Sequence, residues 1–247
     1  MRRVLVIGIG AGDPDFLTMA AVRALNEADV FFVLDKGAVA EDLVGLRRHI
    51  LDRFVDREGH RVVAAADPPR GRDVDAWHDA RADVFERLLR DELAEQEVGA
   101  FLVWGDPALY DSTLRILERV EDRGTVGFAL VSYPGISAPQ ALAARFRIPL
   151  HGVGRPLLVT TGRRLATEGW PDGVDDVVVM LDGGTAFTTL DPADLYIHWG
   201  AYLGTPDEIL IAGPLDEVAD EIVRVRADAR RAKGWMFDTY LLQRGPR

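Results

Sequence analysis

Three glycine-bearing bends hold the residues whose types and spacing suit ligand chemistry. The first, Gly8-Ile9-Gly10-Ala11-Gly12-Asp13-Pro14, overlaps the end of the apolar run Arg3 to Ile9. Glycines after a strand let the main chain turn sharply and let a ligand approach it closely. The dinucleotide fingerprint GxGxxG has that form, with an acid after the second strand, and Asp35 stands where that acid belongs. Its third glycine is missing: counted from Gly8 the position is Asp13, counted from Gly10 it is Asp15. A carboxylate there would face a pyrophosphate, which speaks against a nicotinamide or flavin site. The second bend, Trp104-Gly105-Asp106-Pro107-Ala108-Leu109-Tyr110-Asp111-Ser112-Thr113, ends another apolar run. Open α/β sheets bind ligands at such strand ends, although Gly-Asp-Pro is also ordinary turn chemistry. The third bend runs from Val131 to Pro139. Its Gly135-Ile136-Ser137-Ala138 shares the opening of a GxSxG nucleophile elbow but closes on Pro139, and neither His151 nor His198 has a recognisable acid partner. Ser137 reads better as a helix cap or as a hydroxyl against a ligand.

Other chemistries find little support. The five histidines (His49, His60, His78, His151, His198) show no metal-ligand spacing and cysteine is absent, so no metal is expected. No Walker lysine is present.

The elements that must position these bends alternate in the first half. Strands are expected at Arg3 to Ile9, Val30 to Leu34, Val62 to Ala65, Ala100 to Trp104 and Phe128 to Ser132. Helices are expected from a Thr18 cap, over Asp42 to Leu51, over Asp75 to Glu95 with its acids on a solvated face, and around Leu114 to Val120. That βαβα order implies a largely parallel sheet covered on both faces. The second half is richer in strands: Leu157 to Thr161, Val177 to Leu181, Leu195 to Trp199, Glu208 to Ala212 and Trp235 to Leu242, with one long helix over Asp216 to Ala232. Two α/β domains follow, 1–135 and 150–247, joined by a connecting helix or linker over 136–149.

Composition narrows the partners. In 247 residues, 29 Lys and Arg face 40 Asp and Glu, giving a net charge of −11, which disfavours nucleic acid and anionic membranes. No apolar run approaches the roughly 20 residues of a bilayer span, and the N-terminus lacks signal-peptide form, so a cytoplasmic protein is expected. Between Asp122 and Glu168 there is no acid, while Arg123, Arg145, Arg147, Arg155, Arg163 and Arg164 all occur. That stretch is either chance or a basic wall for an anionic substrate.

Taken together, the three bends resemble the tetrapyrrole (corrin/porphyrin) methylases. The likeness runs through Val4 to Thr18, Ala28-Asp29-Val30, Gly105-Asp106-Pro107 with Tyr110, Pro134 to Ala138, Met180 and Gly213-Pro214-Leu215, essentially the whole chain. Ala11 stands where many members have proline. The resemblance implies an S-adenosylmethionine-dependent C-methyltransferase, two α/β domains with the cofactor in the cleft between them, and a homodimer. It assigns Ala11, Trp104, Gly105, Asp106, Leu109, Ser137, Ala138, Met180, Tyr202, Ala212, Gly213 and Pro214 to the cofactor. The stretches Val30 to Gly37 and Trp199 to Leu215 are most similar to the branch that couples C1 methylation to loss of an acetyl group as acetate. Another corrin or uroporphyrinogen methylase of the family, or a carrier without chemistry, stays open.

Methyl transfer from a sulfonium to an electron-rich carbon needs positioning and exclusion of water rather than a strong base. Loss of an acetyl group needs an activated water, for which Asp13, Asp35, Tyr110 and Asp111 are candidates. A polycarboxylate tetrapyrrole as substrate would be met by Arg145, Arg147 and Arg155.

Overall fold

A computed structural model describes residues 1–35, 41–71 and 73–245, and they form two compact units, Met1–Ser137 and Ala138–Arg247. In the first unit five strands, β1 (Arg2–Gly8), β2 (Val30–Asp35), β3 (Arg61–Ala66), β4 (Val98–Val103) and β5 (Phe128–Tyr133), form one sheet in the order β3-β2-β4-β1-β5. Every pairing in it is parallel. Between them run α1 (Met19–Glu27), α2 (Glu41–Phe54), α3 (Val74–Asp91) and α4 (Thr113–Arg123). Thr18 caps α1 as its position suggests, its Oγ1 accepting from the Ala21 N–H at 3.0 Å.

The alternation of β1 decides which helices go where. Val4 and Val6 join Phe101, Phe85 and Ile116 in a core under α3 and α4. Leu5 and Ile7 join Phe31, Leu25 and Ile50 under α1 and α2. The chain therefore leaves β1 by α1 on one face towards β2, and leaves β4 by α4 on the other face towards β5. Because β1 and β4 are neighbours, their carboxyl ends flank the point where the winding reverses, the place where open sheets of this kind bind ligands.

The acids of α3 lie on a solvated face, as expected, and several of them are ion-paired there. Arg119 of α4 reaches Asp79 at 2.6 Å and Asp75 at 2.8 Å, and Arg123 reaches Asp83 at 2.8 Å and Glu86 at 3.0 Å. The hydrogen bond from Thr125, followed by that from Arg123, holds the Glu86 carboxyl below its ordinary range. These pairs join residues about forty positions apart, so local charge pattern does not reveal them.

The second unit has β6 (Leu157–Thr161), β7 (Asp176–Met180), β8 (Leu195–Ala201), β9 (Ile209–Pro214) and β10 (Asp238–Arg244) in the order β6-β7-β10-β8-β9. Only β6 and β7 pair in parallel. Its helices are α5 (Ala138–Phe146), α6 (Gly162–Glu168) and α7 (Leu215–Lys233). Trp199, Tyr240 and Phe187 centre the core, which α7 covers, and α5 packs on β8 and β10. Beneath α7 a buried polar network is built on Asp182. Its carboxylate accepts from the Gly184 and Ala186 N–H groups and from the Tyr240 hydroxyl, at 2.9, 2.6 and 2.7 Å. Arg226 donates to the Asp182 carbonyl and, at 2.8 Å, to Asp238, which also accepts from the Trp199 indole at 3.0 Å. No helix among the described residues is long and apolar enough to cross a membrane.

Candidate functional site

The three bends meet at the carboxyl edge of the parallel sheet. Beyond β1 and β4 the chain continues in step, Ile9 N–H donating to the Val103 carbonyl at 2.9 Å. Gly10 and Gly105 then exchange both backbone hydrogen bonds, at 3.2 and 2.8 Å, and both glycines have left-handed backbone, φ +79° and +71°. The third bend crosses the other two without any side chain intervening. A Cβ on Gly135 would lie 2.1 Å from the Gly105 carbonyl oxygen, and one on Gly8 would lie 2.5 Å from the Gly135 nitrogen. Only glycine fits at this crossing.

Asp106 fastens the crossing. One carboxylate oxygen accepts from the Ala108 N–H at 2.8 Å within its own turn, and the other accepts from the Gly135 N–H at 3.0 Å across the gap. Asp106, which the family resemblance assigns to the cofactor, thus caps its own turn and ties the second bend to the third. Thr18 adds another tie, donating to the Pro134 carbonyl at 3.4 Å. On Gly105 a Cβ would meet only the Ser137 Cα, 3.9 Å away, so bare backbone faces Ser137 there.

Around this edge lie the remaining candidates of the first unit. Ala11 is buried, while Trp104 and Leu109 are half-buried. Asp13 accepts from the Asp15 N–H at 2.9 Å and so caps the short turn Pro14–Phe16. Asp111 accepts from the Thr113 N–H at 2.6 Å and starts α4. Asp35 ends β2, and its side chain, like Lys36 and Gly37, lies outside the described residues. Tyr110 is 41% exposed and takes φ +54°, a left-handed conformation that a tyrosine adopts at a cost and that collects at functional positions.

Sequence reasoning missed Arg81, which ties α3 to the turn that opens α4. Arg81, buried on α3, pairs with Asp67 at 2.9 Å, donates to the Ser112 hydroxyl at 2.8 Å and stacks over Trp77 at 4.9 Å. A signal was present: Arg81 falls on the apolar stripe with Phe85 and Leu88, where a charge is anomalous.

In the second unit, Met180 ends β7 and shares a row with Thr239 and Gly200. Tyr202 follows β8 at that same end, buried, with φ +50° and its hydroxyl donating to the Trp235 carbonyl at 2.8 Å; burial pushes its pKa up. Ala212, Gly213 and Pro214 lie opposite His198, Ile197 and Tyr196, towards the other end of β8. Ala138 opens α5. The acid-free stretch is not an unopposed basic wall, because acids outside it pair with its arginines: Arg145 donates from Nε to both carboxylate oxygens of Glu208 at 3.0 Å, Arg155 pairs with Asp175, and Arg164 with Glu168 one helical turn on. Arg147, exposed just beyond α5 with φ +58°, makes no ion pair among the described residues. No group of three or more His, Asp or Glu suited to a metal occurs among the described residues.

A parallel sheet wound in both directions, with glycine bends crossing at its switch point, defines a ligand-binding α/β protein. Residues 3–219 match the family described as Tetrapyrrole (Corrin/Porphyrin) Methylases, and the chain belongs to that family. It is 50% identical to the Precorrin-6A synthase [deacetylating] of Sinorhizobium sp, over 99% of this chain and 96% of that protein. The crystal structure of a cobalamin-synthesis-related protein (CobF) from Corynebacterium diphtheriae matches with a TM-score of 0.88 at 37% identity, covering 99% of both chains. Uroporphyrin-III C-methyltransferase from Thermus thermophilus, complexed with S-adenosylhomocysteine, shares the fold at a TM-score of 0.60 and 24% identity, over 98% of this chain and 97% of that one.

Proposed function

We propose that this chain methylates precorrin-5 at C1 and releases the acetyl group as acetate, with S-adenosylmethionine as methyl donor. What carries the proposal is the 50% identity, over nearly the full length of both chains, to a deacetylating precorrin-6A synthase. When bound, the donor supplies a methyl group already activated on a sulfonium. The chain's own work is then to hold reactants in near-attack geometry and to keep water out. The bend at Gly105, beside Ser137, suits that work, because the missing side chain there lets a ligand approach the main chain closely. In this proposal Ala11, Trp104, Gly105, Leu109 and Ser137 line the donor site of the first unit, and Asp106 shapes it. The family likeness adds Ala138, Met180, Tyr202 and Ala212-Gly213-Pro214 from the second unit.

Tyr110, strained and presented to solvent, is our choice to hold the water or the acetyl carbonyl in the second half of the reaction, since Asp13 and Asp111 each cap a turn. Arg147 keeps a role towards substrate carboxylates; Arg145 and Arg155 would first have to exchange Glu208 and Asp175 for the ligand. We further propose a homodimer acting in the cytoplasm, as the family likeness suggests. Incubation with precorrin-5 and methyl-labelled donor tests the assignment. One acetate released per methyl incorporated is the expected result; methylation without acetate would place the chain with another methylase of the family.

A further inference from the structure

Arginine is the natural partner of a carboxylate, and the sequence alone drew attention to Arg145 and Arg155, both of which hold a protein carboxylate already. A different arginine is placed to receive one from outside. In the second unit a cavity of about 300 Å³ opens between the end of β7, the last two turns of α7 and the segment leading into β10. That volume lies at the lower end of small-ligand sites. Its walls are unusually apolar for exposed surface: Leu181 is 60% and Phe237 is 41% exposed, with Trp235 and Met236 beside them. Leu181 is held there by a left-handed backbone, φ +54°, and Trp235 is fixed by edge-on contacts with Tyr202 and Phe237, centroids 4.9 and 5.1 Å apart.

The charges facing this cavity are Asp182, Asp238, Arg226 and Arg230. Three of them are satisfied internally. Asp182 accepts from two N–H groups and a hydroxyl, and Asp238 is paired with Arg226 at 2.8 Å. Arg230 is four residues beyond Arg226, hence on the same face of α7 one turn nearer the opening. It makes no ion pair among the described residues. A cavity with apolar walls and one guanidinium at its mouth matches a ligand with an apolar body and a single carboxylate arm.

The geometry points to Arg230 as a specificity-determining residue that receives one carboxylate arm of the tetrapyrrole, whose ring edge lies against Leu181, Trp235 and Phe237. This rests on the proposed methylase function, and the test separates the two. Kinetics of the full chain with precorrin-5 and calorimetry with S-adenosylhomocysteine are measured for the wild type, Arg230→Leu and Arg230→Lys. Arg230→Leu should raise KM for the tetrapyrrole about tenfold, the scale of one charge-assisted hydrogen bond, with kcat and S-adenosylhomocysteine affinity within twofold of wild type. Arg230→Lys should recover part of the loss. An unchanged KM in Arg230→Leu overturns the inference, and so does a parallel fall in S-adenosylhomocysteine affinity, which would mean that the residue acts through the donor site or the fold. A wild-type chain that binds S-adenosylhomocysteine but does not methylate precorrin-5 sinks the function itself.

Discussion

Gly135→Ala should lower the stability of the protein by about 3 kcal/mol, near the top of the range for overpacking, and should remove measurable S-adenosylhomocysteine binding. The added methyl would sit 2.1 Å from the Gly105 carbonyl oxygen and 2.8 Å from the Gly8 carbonyl carbon. Both are backbone atoms of neighbouring strand ends, so neither can rotate aside as a side chain would. Relief requires the third bend to lift off the first two. Lifting it breaks the 3.0 Å bond between the Gly135 N–H and Asp106 and separates Ser137 from Gly105. Gly127→Ala is the matched control, because a Cβ there meets nothing within 4 Å and the backbone is not left-handed. It should shift stability by no more than about 0.5 kcal/mol, as exposed changes usually do. Urea unfolding and calorimetry of the two variants decide; equal behaviour would remove the crossing from the account.

Arg226→Met should be the most destabilising single change in the second unit, costing about 3–5 kcal/mol at neutral pH, the usual cost of breaking a buried pair from one side. The substitution keeps much of the volume but strips Asp238 of its cation and leaves the Asp182 carbonyl without its donor. Burial already pushes the Asp238 pKa above the ordinary carboxylate range, and Arg226 and Trp199 pull it back. Without Arg226 the folded state favours the protonated acid more strongly. A carboxyl with a raised folded pKa binds more protons folded than unfolded, so stability falls as pH climbs from the unfolded value, about 4, through the folded one. The deficit of the variant relative to wild type should therefore grow from acidic to neutral pH. Urea midpoints measured across that window check this, and a deficit independent of pH would show that the lost packing of the guanidinium stem matters more than its charge.

Much of this arrangement could be read from the residues because it is local. Continuous apolar runs located the strands of the first unit and period-3.6 patterns its main helices, and Thr18 announced α1. The three bends were visible as glycine clusters at strand ends, and their family likeness gave the residues proposed for the donor site. What the sequence did not disclose is that Asp106 turns its carboxylate onto Ala108 and Gly135, since an acid in a turn looks the same whether it meets a ligand or a backbone N–H. Long-range pairs were equally hidden. The acids of α3 and the arginines of α4 are individually unremarkable, as are Arg145 and Glu208, and only the packed helices and strands bring them together. α6 escaped because Gly162-Arg163-Arg164 has no apolar stripe, although Thr161 caps it at 3.4 Å. Arg230 escaped for the opposite reason, being a basic residue in the last turns of a helix where the dipole alone accounts for it.

The central claim is that the bends at Gly8, Gly105 and Gly135 grip the methyl donor between them. Amide hydrogen exchange with and without saturating S-adenosylhomocysteine tests it most directly. Slowed exchange concentrated in residues 8–14, 104–110 and 133–137 is the expected pattern. Tight binding that leaves all three segments exchanging at their free rate would contradict it.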